Sequence, residues 1–366
     1  MDKYQQEDKS RVSFESASCP LPLRHHDQIV MGHGSGGRMT NELIEQVFLA
    51  HFRDPQLLLG NDFASLLPPE FKQGRGRLSI STDAHIVKPL FFPGGDIGRL
   101  SVSGTVNDVA MAGAVPLYLT VSFIIEEGLP MQVLERVVAS MAETATQANV
   151  AIIAGDTKVA EKGSVDQLFI STTGIGWIPE GRIINGQSAQ VGDSIILSGT
   201  MGDHGIAVLA ERGELGFSTT IESDVAPLNS MIETLLHAAP HSHVLRDPTR
   251  GGVATTLNEI ASQSHVNILL QEGALPVKKQ VQAACEMLGF DPLYIANEGK
   301  LLAFVPEAET PAALQSIRSH PLGIDAAIIG KVIPVEGETP RVLMKTLIGG
   351  QRIIDTLSGE LLPRIC

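Results

Sequence analysis

A chain of 366 residues exceeds one ordinary hydrophobic core and predicts about two domains. Apolar residues make up 43% and aromatics only 4%, so the cores are expected to be built from Val, Ile, Leu and Ala. A formal net charge of −14, with no Lys/Arg-rich block, argues against nucleic acid and anionic membranes as partners. Three scattered cysteines, Cys19, Cys285 and Cys366, make neither a disulfide framework nor a C-x-x-C metal pair. The polar start Met1–Asp8 lacks a signal-peptide core, and no apolar run approaches the ~18 residues of a membrane span. Cytoplasm is the expected compartment.

Residues 1–29 read as an irregular, polar arm. The glycine-rich stretch Gly32–Gly37 follows, either a plain loop or a flap over phosphate, and then Leu43, Ile44, Val47, Phe48 and Phe52 share one helical face. Leu78–Thr82 alternates as a strand running into Asp83, and small residues from Ser103 to Ala114 enclose Asn107-Asp108. Leu119–Ile124 alternates again, Leu134, Val137, Val138 and Met141 recur at helical spacing, and Val150–Ala154 reads as a buried strand ending in Gly155-Asp156-Thr157-Lys158. Leu168–Ile178 predicts one more strand. Polar residues and Gly at 180–193 suggest a boundary. A second unit opens with the strand Ser194–Ser198, the turn Gly199–Gly205 and a helix over Ile206–Glu211. It continues through Arg246–Gly252, a helix around Leu257–Ile260, and Asn297-Glu298-Gly299-Lys300 ahead of the strand Leu301–Val305. The expected division is 30–185, 186–345 and a mobile tail over 346–366, opened by Gly349-Gly350.

Three aspartates carry the strongest chemical signal. Asp83, Asp108 and Asp156 each follow an apolar or small-residue run, and hard oxygen ligands at strand ends suit Mg²⁺ beside substrate phosphates. Glycine lets the backbone approach a phosphate, and Lys158 could meet its charge. Turn-making or helix capping is the plain alternative for each aspartate. No G-x-x-x-x-G-K-[ST] stretch exists, which excludes a P-loop, and Gly32–Gly37 is a weak dinucleotide match. His237, His241 and His243 read as a surface loop, Cys285 as core and Cys19 as incidental. Glu298 is either a strand-entry residue or a general base in a cleft. Cys366, downstream of several glycines, is a thiol on a leash.

Together, Gly34-Ser35-Gly36-Gly37, Ser81-Thr82-Asp83, Phe92-Pro93-Gly94-Gly95, Asn107-Asp108-Val109-Ala110, Gly155-Asp156-Thr157-Lys158, Gly202-Asp203-His204-Gly205, Arg250-Gly251-Gly252, Asn297-Glu298-Gly299-Lys300 and Pro363-Arg364-Ile365-Cys366 carry a family resemblance. From about residue 30 onward the chain resembles the HypE hydrogenase expression/formation family. Several internal motifs are shared with the wider superfamily of aminoimidazole ribonucleotide synthetase, thiamine monophosphate kinase and selenophosphate synthetase; the terminal Pro-Arg-Ile-Cys discriminates.

The resemblance implies a two-domain α/β (α+β) protein of aminoimidazole ribonucleotide synthetase-like architecture. Its N-terminal domain would bind ATP and pair with a second copy. It implies that a carbamoyltransferase partner loads Cys366, and that ATP-dependent dehydration then converts the thiocarboxamide to a thiocyanate. The cyano group would pass to an iron-scaffold complex for the [NiFe]-hydrogenase iron. Cys366, Lys158 and Glu298 would be catalytic. Asp83, Asn107, Asp108, Gly155, Asp156, Thr157 and Lys158 would hold the nucleotide, with Asp83, Asp108 and Asp156 on Mg²⁺. The tail would swing between an inner and an outer position. The competing readings are an ATP-dependent kinase or synthetase on a free small molecule, which would not need Cys366, and a non-enzymatic thiol carrier, which would not need the aspartates.

Overall fold

The computed structural model describes residues 37–45, 61, 64–66, 76–213, 220–335, 337–357, 362 and 364–366. The expected arm 1–29, Cys19, the glycines of 32–36, the helical face from Val47 to Phe52 and Pro363 lie outside the described residues. The chain divides into two units, Met1–Val30 and Met31–Cys366, and everything below concerns the second. No described helix is long and apolar enough to cross a membrane.

The first half runs through α1 (Arg38–Leu43), β1 (Ala64–Leu66), β2 (Gly76–His85), a hairpin of β3 (Phe91–Phe92) and β4 (Gly95–Asp96), α2 (Ile97–Met111), β5 (Val115–Glu126), α3 (Met131–Gln147), β6 (Ala151–Ala160) and β7 (Leu168–Pro179). Its five strands are ordered β1-β2-β7-β5-β6, and only the β5–β6 pair is parallel. Strict alternation of buried and half-buried residues along β7 matches its central position. Helix α2 is buried along almost all its length, which its small residues Gly98, Ser101, Ser103, Gly104 and Thr105 permit. It lies directly on Gly174 and Gly176 of β7, where an added Cβ would meet Val109 side-chain atoms at 2.7 and 2.5 Å. Asp96 caps the helix, its Oδ1 accepting from the backbone N–H of Gly98 at 2.7 Å and of Arg99 at 3.1 Å.

The second half contains β8 (Ser194–Leu197), α4 (Asp203–Glu211), α5 (Asn229–Ala238), β9 (Val244–Arg246), α6 (Gly252–Ser264), β10 (Asn267–Gln271), α7 (Lys279–Leu288), β11 (Leu302–Val305), α8 (Thr310–Arg318), β12 (Ala327–Ile333), β13 (Val342–Lys345) and β14 (Gln351–Ile354). Its seven strands are ordered β14-β13-β10-β12-β8-β11-β9, parallel only at β10–β13. Apolar residues fill both faces: Ile195, Leu197, Leu302 and Phe304 lie in one cluster, Ile196, Leu245, Ala303 and Val305 in another. Cys285 is buried beside Ile206 and Ile295, as expected of a core thiol.

Two expectations change here. Gly349-Gly350 does not open a tail. It makes the β13–β14 hairpin turn, with Gly349 at φ +87° and the Thr346 N–H donating to the Gly350 carbonyl at 2.9 Å. Strand β14 therefore ties residues 351–354 into the sheet, and the leash begins after Ile354. It can extend at most about 40 Å. Strand β6 is not a buried strand ending at Gly155. It continues to Ala160 as the sheet edge, and its residues from Ala151 to Val159 are exposed. A run of aliphatic residues looks the same in sequence whether it is covered by its own chain or left open.

Candidate active site

The end of β2 places Asp83 and His85 on one side of the first sheet, next to α2. Asp83 is anchored by the Ala84 N–H, which donates to Oδ1 at 2.7 Å, and Oδ2 lies 3.6 Å from His85 Nε2. Burial pushes the His85 imidazole below its ordinary value against the pull of Asp83. Asp108, on α2, accepts a hydrogen bond from Ser81 Oγ at 2.8 Å. Asn107 points the other way. Its side chain donates to the Ala226 carbonyl at 3.1 Å and accepts from the Leu228 N–H at 2.7 Å. That amide braces α2 against the segment before α5 and is not left for a nucleotide.

The second half supplies the opposite wall through the turn Ala296–Leu301. Asn297 fixes that turn by accepting from the Gly202 N–H at 2.8 Å and donating to the Pro248 carbonyl at 2.9 Å. Gly299 is required there, because a Cβ would fall 1.7 Å from the Asp224 carbonyl oxygen. Asp224 pairs with Lys300 at 3.1 Å and accepts from the Glu298 N–H at 3.1 Å. Glu298 is thus held firmly by its backbone, while its side chain is buried and Oε1 has no hydrogen-bond partner. Burial, reinforced by Asp247, Asp83 and Asp224, pushes its carboxyl well above the usual carboxylate range.

Cys366 lies in this pocket. Its half-buried thiol stands beside the Glu298 carboxyl, and desolvation pushes its pKa far up despite the nearby Arg250 guanidinium. Arg250 lies within electrostatic reach of Cys366, Asp83, Glu298 and Asp108 and is itself held firmly protonated by them. The segment leading to Cys366 is docked against the stretch that follows β2 by two backbone hydrogen bonds. The Ile86 N–H donates to the Cys366 carbonyl at 3.1 Å and the Lys88 N–H to the Arg364 carbonyl at 3.2 Å. Ile365 is buried in the cluster of Val87, Leu90 and Phe92. His204 Nε2 lies 2.7 Å from the Ile365 carbonyl, which can only accept, so Nε2 carries the proton. Burial keeps that imidazole neutral, and Nδ1 then accepts from Ser223 Oγ at 2.7 Å.

The structure therefore brings together Cys366, Glu298, Asp83 and Asp108, and separates Gly155, Asp156, Thr157 and Lys158 from them. Strands β7 and β5 stand between β2 and β6, three strand spacings or about 14 Å. Asp156 and Lys158 are 63% and 74% exposed and pair with each other at 3.2 Å. One ion cannot bridge Asp83 and Asp156 of the same chain. Among the described residues no three His, Cys, Asp or Glu side chains stand close enough to hold a metal ion by themselves. Asp83 and Asp108 do fit Mg²⁺ in its usual setting, one or two carboxylates completed by phosphate oxygens. Arg250, His204 and Asp224 were missed as site residues. Arg250 and His204 stand inside quoted motifs, but nothing local says that they face Cys366.

Two mixed α/β halves closing on a carboxylate, arginine and thiol cluster define an AIR synthase-related protein. The AIR synthase related protein N-terminal domain family matches residues 60–178, and the corresponding C-terminal domain family matches 190–342. Thiamine monophosphate kinase from Aquifex aeolicus, 19% identical with TM-score 0.62 over 83% of this chain and 97% of that one, shares the fold. Within that class the chain belongs to the HypE family. It is 55% identical to carbamoyl dehydratase HypE of Cupriavidus necator over 347 residues, 95% of this chain and 97% of that protein. It is 46% identical to the Escherichia coli HypE over 340 residues, 93% of this chain and all of that protein. A HypE structure solved in a HypE–HypF complex superimposes with TM-score 0.80 at 50% identity, covering 86% of this chain and 99% of that one. A HypE structure in complex with ATP gives 0.76 at 49% identity, covering 93% and 100%.

Proposed function

We propose that this protein is an ATP-dependent carbamoyl dehydratase acting on its own Cys366, converting S–C(=O)NH₂ to S–C≡N as ATP becomes ADP and phosphate. The observation that carries this is the docking of the C-terminal segment, which sets the Cys366 thiol beside the buried Glu298 carboxyl and the Arg250 guanidinium. ATP supplies the phosphoryl group that turns the amide oxygen into a leaving group. Asp83 and Asp108 would hold Mg²⁺ together with phosphate oxygens. Glu298 removes the amide-nitrogen protons as that oxygen leaves, and Arg250 offsets the negative charge gathered around it. Ile365 and His204 hold the segment still.

The docked thiol is a poor nucleophile because only the thiolate attacks. Loading by the carbamoyltransferase partner therefore takes place with the segment withdrawn into water, where the thiol pKa returns toward about 8.5. The HypF seen with a HypE relative fits that partner role. An iron-scaffold complex then accepts the cyano group, all in the cytoplasm, where a free thiol stays reduced. The test is direct. After incubation with carbamoyl phosphate, transferase and ATP, the C-terminal peptide is weighed by mass spectrometry. An ATP-dependent mass loss of one water from the carbamoylated peptide is expected; a carbamoyl adduct that never loses water overturns the reading.

The protein acts as a homodimer in this reading. Strand β6 is an open sheet edge carrying Ile152, Ile153 and Val159 at 38%, 57% and 69% exposure, beside exposed Val115, Leu117, Tyr118 and Ile124 on β5. Natural edges of that length and apolarity are covered. A second copy on this edge would receive Asp156 and Lys158 at its own nucleotide site, the place they cannot reach in their own chain. The test is complementation: Lys158→Ala and Glu298→Gln, each inactive alone, should recover about a quarter of wild-type turnover by statistical mixing of subunits. A mixture as inactive as its parts returns Lys158 to an ordinary surface role.

A further inference from the structure

The loop between β6 and β7 has no part in the chemistry above, yet it is built with care. Glu126, at the end of β5, accepts from the Gly163 N–H at 2.8 Å and from the Gln167 N–H at 3.0 Å, and these bonds hold its carboxyl below the usual range. The loop so fixed presents one side chain to the docked segment. Asp166 Oδ2 accepts from Arg364 at 2.6 Å and from Lys88 at 2.8 Å. The backbones of those two residues are joined as well, by the Lys88 N–H to Arg364 carbonyl bond, and Arg212 donates to both carbonyls, at 2.7 Å to Lys88 and 2.6 Å to Arg364. The two cations hold the Asp166 carboxyl down to about 2, so it is charged at every working pH.

Arg364 needs such a hold. Its φ is +54°, the left-handed region that a non-glycine residue rarely adopts. The twist lets Ile365 turn into the core and Cys366 reach Glu298, and it costs conformational energy that contacts specific to the docked form must offset. Ile365 and His204 act on the residue beyond the twist. Asp166 acts on the twisted residue itself, from outside the pocket.

We propose that Asp166 is a positioning residue of the dehydration step: through Arg364 it latches the C-terminal segment into the pocket and sets how Cys366 divides its time between loading in solvent and chemistry in the site. The proposal rests on the reading of Cys366 as the carried thiol, and it has a consequence that mere structural support lacks. Loosening the latch moves the two half-reactions in opposite directions. The withdrawn fraction rises, so loading gains, while dehydration per loaded segment falls.

The experiment uses the full-length protein and reads alkylation of Cys366 by N-ethylmaleimide at the C-terminal peptide. Asp166→Ala is expected to speed alkylation roughly fivefold to twentyfold, the population shift of one lost charge-assisted contact, with Asp166→Asn in between. Raising salt toward 1 M narrows the gap, since the pair is partly exposed and screened. The exchange Asp166→Arg with Arg364→Asp returns the rate toward wild type. In the same variants initial loading by the transferase is equal or faster and single-turnover dehydration is slower. Unchanged alkylation in Asp166→Ala, or a loading rate that falls together with dehydration, overturns the latch. Because alkylation needs no turnover, it judges the latch even if no thiocyanate is ever formed.

Discussion

Cys366→Ala abolishes formation of the cyano group and leaves the fold intact. The thiol is the acceptor on which the whole reaction is built. Cys285, the other described cysteine, is sealed in the core, and burial pushes its thiol up to about 11, so it cannot substitute. Removing one sulfur from the chain's last residue touches no strand or helix, while Ile365 keeps its seat in the core. The measurement is carbamoyl incorporation and ATP turnover in the presence of the transferase. Both should fall to background, with the thermal midpoint within a few degrees of wild type. A small-molecule kinase or synthetase on the same fold would behave otherwise. Its turnover would survive the substitution, and that result would discard the carrier-thiol mechanism.

Glu298→Gln spares loading and ATP binding and slows dehydration roughly 10²- to 10⁴-fold, the usual worth of a positioned general base. The amide fills the same space. Because the buried carboxyl already favours its neutral form, the fold loses little by the change. What disappears is a proton acceptor beside the Cys366 sulfur. The carbamoylated peptide should therefore accumulate and persist with ATP present. The pH profile carries the same signature. Glu298 accepts a proton only when ionised, and its pKa is raised, so wild-type dehydration climbs with pH until the carboxylate form predominates. A Glu298→Gln variant that dehydrates at the wild-type rate would remove this residue from the mechanism. The thiol carrier without catalysis would fail earlier, at the wild-type protein, which would show no ATP-dependent loss of water.

Much of this was legible before any tertiary structure. The strands at 78–82, 119–124, 168–178, 194–198 and 301–305 and the helices at 134–141 and 206–211 all have their counterparts, because side-chain periodicity is set by neighbours within a few positions. Glu298 and Cys366 could be named because each stands in a motif of its own. The errors fall where a local pattern has two tertiary meanings. Val150–Ala154 reads as a covered strand, yet β6 is an edge. Asn107 stands beside Asp108 in one motif, yet its side chain is spent on the Ala226–Leu228 backbone, whereas Asp108 faces Ser81. Adjacent residues on a helix point about 100° apart, so a motif shared in sequence need not be shared in space. Gly349-Gly350 reads as a release point, yet it is a hairpin turn, since glycine serves both.

The amino-acid sequence by itself determined the family, the residue types of the chemistry and the alternation of strands and helices, because all of these are carried by short motifs and near-neighbour spacing. Only the tertiary structure decided which of the acidic residues meet. Insertion of β7 and β5 between β2 and β6 divides the three aspartates, and packing of the Ala296–Leu301 turn against Asp224 aims Glu298 at Cys366. Strand order and the docking of a chain end are agreements between residues far apart along the chain, reached by burying shared surface, and no local pattern records them.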